Sequence, residues 1–449
     1  MRTIPVIIRK RRSLKQAQTM IVLLIAVVLL VPFQSPRAAA TTESTIVLQT
    51  DGAPILASTS QIVSNTPANQ TNPHVQCNLA SYTDDNLMGS STIHYQDLTT
   101  GVDSVAPGNE VDLLSDISGS RIAYTEVDFP GDRVIVFDAN SQTRTVVPGL
   151  GRSNPSIGAN LVAFEDRVTR FSPPQISIYD LNTGTVTPLT DDSLFNERPN
   201  VSPTGDAIVW QKCDLSRVDC SIYAAVQTSP GVFTTRALTA SPGKDHSPVT
   251  NGEIAVYNSD RSGENDIYYQ SLAGGVEVHL AIPGWQRFPS VSGDLITFQS
   301  QDQNGFDIFV YDIGRAKLFQ VTNTLANEQL SEISVCNGVG RIVYTVEGTG
   351  AFDVYAVSFP APGAIEDQLN DLIQLIHDFN LPHGTANSLI AKLQSALNAI
   401  DASDTATACS SLTAFKNECA AQSGKKLTTD QATQLINAAE LIRINLGCE

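Results

Sequence analysis

Cysteine and histidine are the residues in this chain whose possible chemistry is set most directly by spacing. Cys77, Cys213, Cys220, Cys336, Cys409, Cys419 and Cys448 contain no C-x-x-C pair and no metal-type cluster. Disulfide bonding in an oxidising compartment is their expected use. The number of cysteines is odd, so one thiol should be left over. His74, His94, His246, His279, His377 and His383 form no cluster in sequence. An H-E-x-x-H pair, a Walker A loop, a dinucleotide fingerprint and a G-x-S-x-G elbow are all absent. Asp-rich turns such as Tyr82-Thr83-Asp84-Asp85 and Thr190-Asp191-Asp192 lack EF-hand spacing, and Asp there serves as a turn former. The sequence therefore assigns no catalytic residue, no metal ligand and no cofactor, with a divalent metal as the open alternative.

The ends and the charge narrow the setting. Arg2, Arg9, Lys10, Arg11, Arg12 and Lys15 precede an apolar run from Met20 to Val31, and Ala38-Ala39-Ala40 follows. Twelve apolar residues rise only about 18 Å as a helix, short of a hydrocarbon core of about 30 Å. Residues 1–40 thus read as a cleaved signal peptide, with no stable membrane insertion afterwards and a secreted, extracellular or periplasmic destination. They hold seven of the 28 Lys and Arg and no acid, leaving 21 basic against 46 acidic groups, a net of −25. Phosphate backbones would be repelled by such a chain, which excludes nucleic acid as a partner.

What must position any site is a repeat. Short strands beginning at Asn72, Ser115, Asn154, Arg198, Ser247, Phe288 and Ser331 each lead through a turn to an alternating strand that ends on an aromatic. The aromatics Tyr82, Tyr124, Phe164, Trp210, Tyr257, Phe298 and Tyr344 lie 40 to 47 residues apart. Third strands such as Gln175-Ile176-Ser177-Ile178-Tyr179-Asp180, and fourth strands beyond Asn182-Thr183-Gly184, complete each unit. Four short strands per unit predict an all-β propeller, seven blades being favoured and six possible. The seventh copy stops after Asp353-Val354-Tyr355-Ala356-Val357. A strand around Pro54 to Val63 is expected to complete it and close the ring, within an N-terminal segment 41–71 ahead of a propeller at 72–360. Cys77 and Cys336 fall in equivalent turns of the first and last copies, so a disulfide there would staple the closure; two unpaired thiols are the alternative. Cys213 and Cys220 flank one hairpin turn and are expected to bridge.

Segments such as Arg198-Pro199-Asn200-Val201-Ser202-Pro203-Thr204-Gly205-Asp206 and Ser259-Asp260-Arg261-Ser262-Gly263-Glu264-Asn265-Asp266-Ile267-Tyr268 resemble the repeat of TolB-like (PD40, WD40-like) propellers. The resemblance covers about residues 50–360 and implies the fold, not a function. By analogy with propellers, the loops entering each first strand and leaving each second strand share the mouth of the central channel. That places Asn72, Leu114, Asn154, Arg198, His246, Phe288 and Leu330 there, with Glu165, Asp166 and Asp260 beside them. Of these, Asn72, Asn154, Glu165, Asp166, Arg198, His246 and Asp260 are the candidate ligand-binding residues. Some propellers with this repeat are uronate lyases that use His and a metal, so His246 carries the alternative reading.

After Pro360-Ala361-Pro362-Gly363 the apolar period changes from two to about 3.6. Four amphipathic helices are expected across 361–449, a small all-α bundle, with Thr428 and Gln431 as a capping box at the start of the fourth. Antiparallel third and fourth helices would bring Cys409 to Cys448 and leave Cys419 as the odd, buried thiol. Leu381-Pro382-His383-Gly384, Ala391-Lys392-Leu393 and Gln422-Ser423-Gly424-Lys425-Lys426-Leu427-Thr428 resemble the FIMAH domain of secreted bacterial proteins, which implies an accessory role. The chain as a whole reads as a secreted, non-catalytic binding or scaffold protein recognising an extracellular or cell-surface protein or glycan. A metal-dependent polysaccharide lyase or hydrolase at the propeller mouth is the alternative.

Overall fold

Strand-period sequence between residues 59 and 360 folds into seven antiparallel blades around one channel, followed by four helices. The computed structural model describes residues 43–448 apart from short breaks at 51, 54–55, 57, 87–88, 241–242, 302–304, 349–350, 362–363 and 380. The signal peptide expected over 1–40 lies outside the described residues.

The seven innermost strands are Asn69–Gln76, Asp112–Ser118, Arg152–Gly158, Phe195–Val201, Asp245–Thr250, Gln286–Ser292 and Glu328–Cys336. Each blade is built outward from one of these, strand by strand. The repeat aromatics sit on the second strands and are at most 5% exposed, packed between neighbouring blades. Burying such a ring is worth roughly 2–3 kcal/mol each, which explains why the aromatic recurs while the turns drift. Where blades approach most closely only glycine fits: a Cβ on Gly158 would stand 1.8 Å from the carbonyl oxygen of Ser202.

Every innermost strand carries a β-bulge at the same place. The bulged residues are Asn72, Leu114, Asn154, Arg198, Ser247, Phe288 and Leu330, all with φ between 49° and 53°. Left-handed backbone in non-glycine residues is costly, and seven repeats of it need support from the surroundings. On five blades that support is a side chain of the preceding blade, one residue after its core aromatic. The bulge N–H of Asn154 donates to Thr125 Oγ1 at 3.0 Å, Arg198 to Glu165 Oε1 at 3.1 Å, Ser247 to Gln211 Oε1 at 3.4 Å, Phe288 to Asn258 Oδ1 at 3.2 Å and Leu330 to Gln299 Oε1 at 3.1 Å.

The ring closes as its missing strand required. Thr59–Ser64 pairs antiparallel with Phe352–Pro360 and completes the last blade. Cys77 and Cys336 are bridged across that seam with Cα atoms 5.3 Å apart, and Cys213 bridges Cys220. One strand was not expected: Glu43–Val47 pairs in parallel with Glu277–Ala281 and gives the fifth blade a fifth strand. Its five residues are too few for a pattern to declare itself, and it covers an otherwise open sheet edge.

The helices are α1 (Ala364–Asp378), α2 (His383–Asp401), α3 (Thr405–Gln422) and α4 (Thr429–Asn445). Ile365, Leu369, Leu372 and Ile376 of α1 share one core with Leu389, Leu393, Leu412, Phe415, Leu435 and Ile442. The capping box forms: Thr428 N donates to Gln431 Oε1 at 2.9 Å and Gln431 N to Thr428 Oγ1 at 3.1 Å. Cys409 is bonded to Cys448, and Cys419 remains a buried thiol that burial pushes up to about 12. An unreactive small hydrophobe is the result. Arg315 on the sixth blade donates to Glu366 of α1 at 2.7 Å, which ties the bundle to the propeller.

Two residues before each bulge stands a polar side chain: Gln70, Asp112, Arg152, Asn196, Asp245, Gln286 or Glu328. Asp112 and Asp245 are each 1% exposed, and burial drives both carboxyls up to about 6. A folded-state value above the unfolded one means that these groups add stability below about pH 4, and that this is lost as pH rises through 6. Asp112→Asn and Asp245→Asn are therefore expected to be near neutral at pH 4 and to gain on the order of 1–3 kcal/mol over the parent at pH 8. Chemical denaturation across pH checks it; a gap between variant and parent that does not change with pH would contradict the assignment. The Cys77–Cys336 bridge spans 259 residues and the Cys213–Cys220 bridge seven. Removing the first by paired serine substitutions should cost about 2–5 kcal/mol and the second less, measured by unfolding without reductant.

Candidate functional site

A bulge adds one residue to one strand and re-aims its side chain. In this ring the bulges turn Asn72, Leu114, Asn154, Arg198, Ser247, Phe288 and Leu330 onto the rim of a single cavity of about 780 Å³ lined by all seven blades. That volume lies within the ordinary range for a ligand pocket. Leu114 and Phe288 are 41% and 36% exposed, so the rim is partly apolar.

The polar rim is concentrated on the third and fourth blades. Glu165 is almost buried and accepts from Asn154 Nδ2 at 2.9 Å, from Arg167 Nη2 at 3.1 Å and from the backbone of Arg198. Glu197 pairs with Arg217, whose guanidinium lies 4.1 Å above the Phe195 ring. Arg198 is exposed and its Nη1 donates to Ser247 Oγ at 2.7 Å. Among the described residues no carboxylate lies within ion-pair distance of it. An exposed arginine outside ion-pair distance of any described carboxylate, on a chain of net charge −18, is a strong feature of this rim.

Of the seven candidate residues, Asn72, Asn154, Glu165 and Arg198 come together around this cavity. The other three do not. The rim position of the fifth blade is Ser247 and not His246, because the bulge falls one residue later. The ring of His246 lies outside the cavity lining, Nε2 being 3.0 Å from Asn265 Oδ1, and burial lowers its pKa. Asp166 is committed to Arg152 at 3.1 Å, and Asp260 lies outside the cavity, accepting from the backbone N–H of Lys244 at 2.8 Å. A signal for the correct register was present: Pro248 aligns with Pro73, Pro155, Pro199 and Pro289, and the rim residue immediately precedes the proline.

One layer deeper, two residues beyond each bulge, lies a second ring: His74, Asp116, Ser156, Asn200, Val249, Ser290 and Glu332. In four blades this side chain stitches the next blade. Asp116 Oδ2 accepts from Ile157 N at 2.8 Å, Ser156 Oγ from Val201 N at 2.9 Å, Asn200 Oδ1 from Thr250 N at 2.8 Å and Ser290 Oγ from Ile333 N at 3.4 Å. His74 and Glu332 depart from that role and bond each other, Nδ1 to carboxylate, with Asp116 Oδ1 3.7 Å from the same nitrogen. Burial alone would lower the His74 pKa, but the charge and hydrogen bond of Glu332, with Asp116 behind, lift it to about 9. Sequence reasoning missed this group because its members are 42 and 216 residues apart along the chain; only closure of the ring makes the first, second and last blades neighbours.

No family model matches the chain, and no curated protein does. Solved structures do. A manganese complex of oligogalacturonate lyase is similar over 68% of this chain and 94% of its own, at 13% identity and a TM-score of 0.53. A puromycin-hydrolysing peptidase of Mycobacterium tuberculosis is similar over 66% of this chain at 13% identity and a TM-score of 0.51. This chain spans about half the length of that peptidase, 52%. TolB from Acinetobacter baumannii aligns over 62% of this chain and 79% of its own, at 16% identity and a TM-score of 0.38. The first two of these likenesses carry the propeller fold.

The His74–Glu332 pair should be visible in solution. Its raised value means that it adds stability below pH 6.5, lost as pH rises through 9. Imidazole nitrogen NMR is expected to show one histidine still charged at pH 8, and that signal should titrate near 6.5 in Glu332→Gln.

Proposed function

We propose that this is a secreted binding protein whose propeller mouth holds a carboxylate-bearing segment of an extracellular glycan or protein. The observation that carries this reading is Arg198, an exposed cation outside ion-pair distance of any carboxylate among the described residues, on the rim of a 780 Å³ cavity that Asn72, Asn154 and Phe288 also line. A guanidinium is preorganised for a carboxylate and is enriched where binding energy concentrates. Export is supported by the basic and apolar run before residue 40 and by three disulfides. The four-helix module, with its FIMAH-like segments, serves as an accessory that attaches or presents the propeller.

A second reading, a polysaccharide-cleaving enzyme at the same mouth, is favoured by one observation, the His74–Asp116–Glu332 group at the cavity floor. It no longer involves His246.

Arrays of uronate-containing and neutral glycans, and of acidic and neutral peptides, distinguish the ligand classes. Binding is expected for acidic members, with Arg198→Ala weakening it roughly 10-fold or more and Phe288→Ala less. Equal binding of neutral members, or an Arg198→Ala variant that binds as the parent does, would overturn the reading. Release of shortened glycan during incubation would favour the second.

A further inference from the structure

We infer that the floor of the channel is a binding site for one divalent first-row cation, of the Mn²⁺ or Zn²⁺ kind, held by His74, Asp116 and Glu332. The three donor atoms lie within 4.8 Å of one another on three consecutive blades. Metal–nitrogen and metal–oxygen bonds of about 2.0–2.2 Å fit inside such a triangle once the His74–Glu332 hydrogen bond opens to admit the ion. The positions are equivalent in the repeat, so the backbone holds them at one depth, and the cavity above supplies a route and room for water ligands.

The departure from the repeat is the argument that these groups do more than close the ring. Elsewhere at this depth the side chain accepts a backbone N–H of the next blade. Asp116 does so with Oδ2, while its Oδ1 accepts from Ile117 N at 2.7 Å and lies 3.7 Å from His74 Nδ1; His74 and Glu332 make no such stitch among the described bonds. The seam itself is already held by the disulfide and by Cys77 N donating to Ser334 Oγ at 3.0 Å. The His74–Glu332 pair is therefore not the only tie across the seam.

With Nδ1 of His74 as the nitrogen ligand, the dication is neutralised by the carboxylates of Asp116 and Glu332. One nitrogen with two carboxylates is a borderline donor set, suited to Mn²⁺ or Zn²⁺ and not to the all-oxygen shell that Ca²⁺ takes. The site does not depend on what the mouth binds.

The test uses the full secreted chain, oxidised, prepared without a metal-affinity tag and stripped with chelator. It is titrated calorimetrically with MnCl₂ and with ZnCl₂ in buffers of different ionisation enthalpy, with no glycan or peptide present. One equivalent is expected, with a rise in melting temperature. Uptake should fall roughly 100-fold or more in His74→Ala and Glu332→Gln, and should be unchanged in His246→Ala. Glu332→Gln is nearly isosteric, so it decides the matter if His74→Ala fails to fold. Absence of stoichiometric uptake by the folded parent, or parent-like uptake in Glu332→Gln, overturns the site. Failure of the glycan and peptide arrays would leave this result untouched.

Discussion

The structure depends on a hydrogen bond that recurs on five of the seven blades, from the bulge N–H of the innermost strand to the side chain that follows the core aromatic of the blade before. A left-handed residue in a strand leaves its N–H out of the ladder, and a buried N–H without an acceptor is costly. The preceding blade supplies that acceptor through Thr125, Glu165, Gln211, Asn258 and Gln299. The bond therefore sets the spacing between blades and the direction of the rim side chains together. Neither blade can move without orphaning the bulge of the next.

Closing the ring is the second constraint, because six such interfaces fix a chain of blades but not a circle. The N-terminal strand Thr59–Ser64, the Cys77–Cys336 bridge and the Cys77–Ser334 bond converge on the seam. The channel floor differs from the rest of its ring at this same place. Where two blades are already joined covalently, the stitching position is released from its structural duty. His74 and Glu332 occupy that freedom, two ionisable groups beside Asp116 at a depth where the other four blades carry Ser, Asn or Val.

Seven aromatics at 40–47-residue intervals, a truncated last copy and paired turn cysteines made the blades, the closure and the three disulfides legible in the sequence. These are local patterns, or patterns that repeat, and repetition lets one copy interpret another. The rim was legible at Asn72, Leu114, Asn154, Arg198, Phe288 and Leu330, four of them followed by a proline. It slipped by one residue at His246, because a bulge changes the count within a strand and a side-chain period of two turns such a slip into the opposite face. Glu43–Val47 gave no sign of itself, since its partner strand lies more than 230 residues away in the chain.

By itself, then, the sequence determined the architecture: periodic burial of aromatics, turn chemistry and cysteine placement are properties of short segments, read from the segments alone. Only the tertiary structure decided the chemistry of the channel. Whether Arg198 meets a carboxylate, whether His246 faces the mouth, and whether His74 meets Glu332 are distances between side chains on different blades. Those distances follow from the ring's closure and its bulges, which no single segment encodes.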